Sequence, residues 1–394
     1  MRGWTIKLLV VVLCLGLALP AVVSADEPVM SKYNVKIWGR VKVDYSYDTS
    51  QFVNYNDFLG VPADSQVTNG QGRSSTNFNP RDTRLGFSAS HAVESWQGKG
   101  VVELDFYGTN SGDNLIPRMR LAYADLANKD MGTSVRVGQD WTPVLQLNPS
   151  TIDFGVLSAT GNLWWRNPQF TVRQNVKVGD TGGLQFLVSA LSPERANTAT
   201  KTDMPWLLAR VAYDFDLAGG KHMLAIDGGY MHDQDVTYSD GIDRFLYGAE
   251  FKFDFDPVLF KGEIWAGQAI GGSFLRYNLD TYTSNAGDTK EWKAWGGWAD
   301  ITYKIIPKLS VTAGMGLDNP SNSGYRPGQP GGLGNANREF IYAYNAYANT
   351  WYTLGPDVKV GFEVMSLTAK RQKTDNTHYK DKGMRFNLSL YYGF

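Results

Sequence analysis

The sequence predicts an all-β fold, a 16-stranded antiparallel transmembrane β-barrel, on three observations. Apolar and polar residues alternate with period two in one segment after another. The connections alternate as well: long polar loops take turns with short links holding Gly, Pro, Asp or Asn. The last stretch places Met384, Phe386, Leu388, Leu390, Tyr392 and Phe394 on one strand face, and Arg385, Asn387, Ser389, Tyr391 and Gly393 on the other. An apolar edge of that kind invites aggregation in water. In a barrel it pairs with the first strand, and the edge disappears.

Residues 1–25 read as a secretory leader: Arg2 and Lys7, an apolar run from Leu8 to Leu19, then Val23, Ser24 and Ala25 before the cleavage point. Residues 26–394 are then one barrel domain. The sole cysteine, Cys14, falls inside the leader, so hydrogen bonding and burial must hold the remainder without disulfides. Beyond Ala25 no apolar run reaches the roughly 18 residues of a membrane helix. Charge is balanced, 38 basic residues against 39 acidic, which argues against nucleic acid as a partner.

The first predicted strand sets Val35, Ile37, Gly39, Val41, Val43, Tyr45 and Tyr47 against Lys36, Trp38, Arg40, Lys42, Asp44 and Ser46. Past a long loop, Leu85, Phe87 and Ala89 oppose Arg84, Gly86 and Ser88. Val102, Leu104 and Phe106 then oppose Glu103 and Asp105; Met119, Leu121 and Tyr123 oppose Arg118, Arg120 and Ala122; Val135 and Val137 oppose Arg136 and Gly138. The stretch 142–167 carries Pro143 and Pro149 and no sustained period. Eight further alternating segments centre on Val172, Phe186, Val211, Ile226, Phe251, Ile264, Ala299 and Ala313. Between Arg338 and Thr353 aromatic and small residues occupy both faces, so no phase is assigned. Phe362 marks the fifteenth strand, and the terminal strand is the sixteenth.

Strand number fixes what the interior holds. Eight strands are filled by side chains, whereas about sixteen leave an aqueous channel. The expected inward residues include Arg40, Lys42, Arg84, Arg118, Arg120, Arg136 and Arg173 against Asp44, Glu103 and Asp105 on the early strands. On the later strands they are acidic: Asp214, Asp227, Glu250, Asp254, Glu263, Asp300 and Glu363, with Arg385 on the last. Such a set cannot pack dry, since unpaired buried charge is too costly. The expectation is a water-filled channel for passive diffusion of small hydrophilic solutes and ions. A structural or adhesive barrel without significant conductance is the alternative.

In a wide wet pore, fields decay within about 8 Å at physiological salt, so only charges beside a constriction govern selectivity. Arginines there either attract carboxylates or hold loop and wall carboxylates in a structural network. The sequence leaves both readings open. His91, His222, His232 and His378 form no catalytic or metal-ligating spacing, so neither an enzyme nor a cofactor is expected.

The terminal aromatic strand resembles that of outer-membrane porins, in which it is read by the barrel-insertion machinery. The third external loop, 142–167, is similar in position to the loop of the general trimeric porins that folds inward and narrows the pore. This implies a pore-constricting third external loop in which Thr151, Asp153, Trp164, Trp165 and Arg166 meet the wall. More narrowly, Arg81-Asp-Thr-Arg-Leu-Gly-Phe87, Val102-Glu-Leu-Asp-Phe106 and Val135-Arg-Val-Gly-Gln-Asp-Trp141 resemble matching strands of the DcaP-like trimeric porins. The resemblance implies a bacterial outer-membrane location, lipid contact, a homotrimer, and uptake of small anionic, often aromatic, acids. The helical N-terminal extension of several members is not implied, residues 26–34 being too short for it. The constriction candidates are Arg40, Lys42, Arg84, Glu103, Asp105, Arg118, Arg120, Arg136, Asp153, Arg173 and Arg385.

Overall fold

The computed structural model describes residues 33–50, 52, 74–108, 115–153, 160–193, 202, 204–233, 241–274, 280–283, 289–320, 338–373 and 377–394. The expected leader, residues 1–25, lies outside them, as do residues 26–32 and most of the first and seventh long loops.

Alternating segments rich in Val, Ile, Tyr and Phe suit a pleated, half-buried surface, and they form sixteen wall strands. These are β1 (Asn34–Asp48), β2 in two pieces (Ser75–Asn79 and Arg84–Val93), β3 (Trp96–Gly108), β4 (Ile116–Asn128), β5 (Thr133–Trp141), β6 (Arg166–Val178), β7 (Gly182–Leu191) and β8 (Trp206–Leu217). The second half comprises β9 (Gly220–Asp233), β10 (Ile242–Phe255), β11 (Val258–Gln268), β12 (Lys293–Ile306), β13 (Leu309–Pro320), β14 (Arg338–Gly355), β15 (Val358–Lys373) and β16 (His378–Gly393). A two-stranded hairpin, Thr281–Thr283 with Thr289–Glu291, stands apart in the sixth loop.

Each wall strand pairs antiparallel with the next, and β16 returns to β1 from Arg40↔Gly393 to Asp48↔Arg385. Gly39 N–H donates to the Phe394 carbonyl at 2.9 Å, and Phe394 N–H donates back to the Gly39 carbonyl at 3.1 Å. Closure leaves no open edge, the condition for placing strands in lipid. Outward side chains stay bare all round: Ile226 is 66% and Ile264 64% exposed, while inward Arg385, Asn387 and Ser389 are buried. An encircling apolar face of this kind belongs in a bilayer rather than in water.

The predicted alternation fails at bulges. Between Asn79↔Asp44 and Arg84↔Arg40 the second strand carries four residues against three on β1. The extra residue breaks the period between Asn79 and Arg84; Asp82, two residues before Arg84, keeps the inward face and is buried. In β4 the register steps from Leu121↔Glu103 to Met119↔Leu104, leaving Arg120 as the extra residue. Met119 stays outward, but Leu121 turns in, and Tyr123 packs its ring 4.1 Å from the Arg136 guanidinium carbon. Leu121 and Tyr123 therefore do not share the face of Met119, as strict alternation predicts. The unphased β14 buries Ala343, Asn345, Tyr347 and Asn349 on its inner face.

Candidate functional site

The described parts of the third loop, residues 142–153 and 160–165, lie inside the barrel, and the acidic wall holds them there. Their backbone N–H groups donate to inward carboxylates in succession. Leu145 N–H reaches Asp227 at 3.3 Å, and Gln146 and Leu147 both reach Glu250 Oε2 at 2.9 Å. Ser150 N–H donates to Asp300 at 2.6 Å; Ile152 and Asp153 donate to the two oxygens of Glu363 at 2.7 and 3.0 Å. On the return leg Thr160 N–H donates to Asn345 Oδ1 at 2.9 Å and Leu163 N–H to Glu263 at 3.1 Å. A carboxylate accepting backbone N–H groups is a strong, charge-assisted anchor.

Loop carbonyls accept from wall side chains as well. Trp265 Nε1 donates to Gly161 O at 2.6 Å, Lys42 Nζ to Ile152 O at 2.9 Å and Asn349 Nδ2 to Ser150 O at 2.8 Å. Under the loop lies a dry core in which Val144, Leu145 and Leu163 pack on Leu191, Trp206, Leu208, Met231, Leu246 and Trp265. Trp164 and Trp165 serve the loop's own packing: their rings stack at 4.8 Å, and Trp165 Nε1 donates to the Phe274 carbonyl. The loop thus closes the β7–β16 side of the lumen.

On the facing side, β1–β6 carry the basic wall. The Asp82 carboxylate accepts from Arg40 Nη2 at 2.6 Å on each oxygen and from Arg84 at 3.2 and 2.9 Å, and its carbonyl accepts from Arg40 Nε at 3.1 Å. Asp105 accepts from Arg118 at 3.0 and 2.7 Å and from Arg120 at 2.8 Å, and Glu103 takes the Arg120 Nε at 2.6 Å. Arg136 pairs with Asp125 and Asp140. Arg166 and Arg173 have no ion pair among the described residues. A cavity of about 320 Å³ separates loop from wall here, lined by Tyr123, Arg136 and Arg173 on one side and Gln146, Asn148 and Trp164 on the other.

Of the eleven constriction candidates, Arg40, Arg84, Glu103, Asp105, Arg118, Arg120, Arg136 and Arg173 stand on the basic wall. Lys42 and Arg385 are instead buried in contacts with the third loop, and Asp153 belongs to that loop. Lys42 is 2% and Arg385 4% exposed, because both are spent on the loop. Lys42 is bonded to Asp44 and Ile152 O, and Arg385 to Asp48 at 2.7 Å and to Asp153 at 3.2 Å. The sequence named the acidic late strands but not their task, since backbone N–H donors leave no residue signature. Asp82 has the parity of Arg84 and was legible as an inward residue, but its task of gathering the arginines was not.

No family model matches the chain, and no curated protein sequence does. Solved structures do. The outer-membrane channel DcaP of Acinetobacter baumannii superposes with a TM-score of 0.70 at 24% identity, over 95% of this chain and 100% of that one. An anion-selective porin from Comamonas acidovorans gives 0.59 at 12%, covering 92% and 100%. OmpF of Salmonella typhi gives 0.56 at 11%, covering 93% and 99%. The chain has the fold of the outer-membrane porins.

Proposed function

We propose that this chain is an outer-membrane porin, a passive channel for small hydrophilic solutes that favours anions. One observation carries the reading: the carboxylates of the late strands are engaged by third-loop backbone N–H groups, whereas the gap opens against the arginine wall. Engaged acids are screened by their donors, so the field in the gap is set by cations, and a low-dielectric rim strengthens it. The similar fold of a porin named for anion selectivity is consistent with this. The chain assembles as a homotrimer in the outer membrane, reached through its terminal strand. Of the candidates on that wall, Arg40, Arg84, Glu103, Arg118, Arg136 and Arg173 line the passage, while Asp105 and Arg120 are buried behind them as their ion-pair partners.

The test is the zero-current potential across a planar bilayer under a potassium chloride gradient. The sign for chloride over potassium is expected. The opposite sign overturns the anion preference, and a barrel that passes no current overturns the porin reading itself.

A further inference from the structure

Phe52 follows β1 in the first external loop, yet its ring lies inside the barrel. Beyond Asp48, where β1 ends, the chain stays pinned to β16 by three bonds. Thr49 N–H donates to Met384 O at 2.9 Å, Met384 N–H donates back to Thr49 Oγ1 at 2.9 Å, and Ser50 Oγ donates to Lys382 O at 2.7 Å. Phe52 is thereby laid over the inner face of β16, where Gly383 leaves space for it. A Cβ at 383 would lie 2.5 Å from the ring's Cζ and 2.8 Å from Ser50 Oγ. The ring is 3% exposed and packs with Trp298 of β12, Tyr347 of β14, and Met365 and Leu367 of β15. Leu147 of the third loop packs on the same cluster. Register fixes the height: Leu367 pairs with Gly383, and one row further in Met365 pairs with Arg385. The Arg385 guanidinium carbon lies 5.9 Å from the centre of the Phe52 ring.

Phe52 therefore sits in the outermost row of an apolar cluster, on top of a charged one. The charges deeper along these strands are mainly acidic: Lys42 and Arg385 stand there with Asp44, Asp48, Asp153 and Glu363. Close-packed apolar side chains leave no room for water, and an ion that cannot enter cannot use the charges behind them. We propose that Phe52 is a selectivity-determining residue. It is an apolar cap carried by the first loop that, with Leu147, keeps water and cations out of the acidic β14–β16 sector. Current is thereby confined to the arginine wall. This rests on the anion-porin reading and goes beyond it, because it gives the first loop a share in selectivity alongside the third.

The experiment compares Phe52→Ala, Phe52→Leu and Gly383→Ala with the wild type, each with and without Met365→Cys. Two quantities are read: the zero-current potential in a potassium chloride gradient, and the change of current on adding a cationic methanethiosulfonate reagent. With Phe52 in place Met365→Cys is silent; in Phe52→Ala it is modified. The chloride-over-potassium permeability ratio of Phe52→Ala falls about twofold as the acids enter the conducting field, and its conductance rises. Phe52→Leu keeps an apolar cap and behaves as the wild type. Gly383→Ala displaces the ring without shortening it and reproduces Phe52→Ala, so the cap stays testable where Phe52→Ala fails to insert. Heat-modifiable mobility identifies the folded variants. A silent Met365→Cys in a folded Phe52→Ala or Gly383→Ala channel, or an unchanged chloride preference there, overturns the cap. A cation-selective wild type overturns the proposed function instead, whereas the accessibility of Met365→Cys reads the cap whatever the selectivity.

Discussion

Glu363 on β15 accepts the backbone N–H groups of both Ile152 and Asp153, at 2.7 and 3.0 Å, across 211 and 210 residues of sequence. One side chain thereby holds residues 152 and 153 of the third loop against the wall, and Asn349 donates to the same carboxylate at 2.9 Å. The arrangement makes loop position a property of the wall's acids rather than of the loop's own sequence.

Glu363→Gln replaces one acceptor oxygen by an NH2 group facing a backbone donor. Two hydrogen bonds to a charged acceptor contribute about 3 kcal/mol together, so the urea midpoint of the barrel in lipid vesicles falls. Single-channel records become noisier as the loop leaves the wall. A quiet channel of wild-type conductance would show that Glu363 does not hold the loop.

Gly161 sits at φ +83°, and a Cβ there would lie 2.1 Å from the Gly297 carbonyl. Gly161→Ala therefore costs roughly 1–3 kcal/mol in backbone strain and lifts the loop's return leg off β12. Trp265 then loses its bond to Gly161 O, which a red-shift and broadening of tryptophan emission would register. Unaltered emission and stability count against the close approach.

Asp82 gathers Arg40, Arg84 and Lys42, the last at 3.5 Å. Removing one partner of a buried ion pair costs about 3–5 kcal/mol, so Asp82→Asn is expected to unfold at lower urea. Its chloride-over-potassium preference should rise, because three cations lose their counter-charge. A fall in preference would place Asp82 outside the field that selects ions.

Deleting Phe394 removes its two backbone bonds with Gly39, each contributing about 1 kcal/mol, and the ring that packs on Gly39. The folded fraction after in vitro insertion, read from heat-modifiable mobility, should drop. Full insertion of the truncated chain would separate closure from assembly.

Much of the wall was legible because its code is local. Val41, Ile226 and Phe362 stand outward as period two requires, and alternation of loop lengths gives the strand count. Where alternation breaks, reading fails for physical reasons. A bulge adds one residue, so Leu121 and Tyr123 changed face without any change in composition. Tyr344 and Tyr347 look alike in sequence, yet Tyr347 is buried with its hydroxyl on Asp300 while Tyr344 stands on the other face. The division of labour between acids and arginines was illegible, because the acids' partners are main-chain groups. Arg166 was named only as a loop residue meeting the wall; that it pairs with no carboxylate among the described residues depends on how Asp105 is shared.

The central claim is that the third loop seals the late strands and leaves the passage along the arginine wall. Single-cysteine accessibility tests it most directly, since the only native cysteine, Cys14, lies in the predicted leader. Met365 is buried, in a cluster against which Leu147 of the loop packs. Arg173 lines the cavity beside the loop. A cationic methanethiosulfonate reagent should alter the current of Arg173→Cys within seconds of addition and leave Met365→Cys unchanged. Rapid modification of Met365→Cys with an inert Arg173→Cys would put the passage on the other side of the loop and contradict the account.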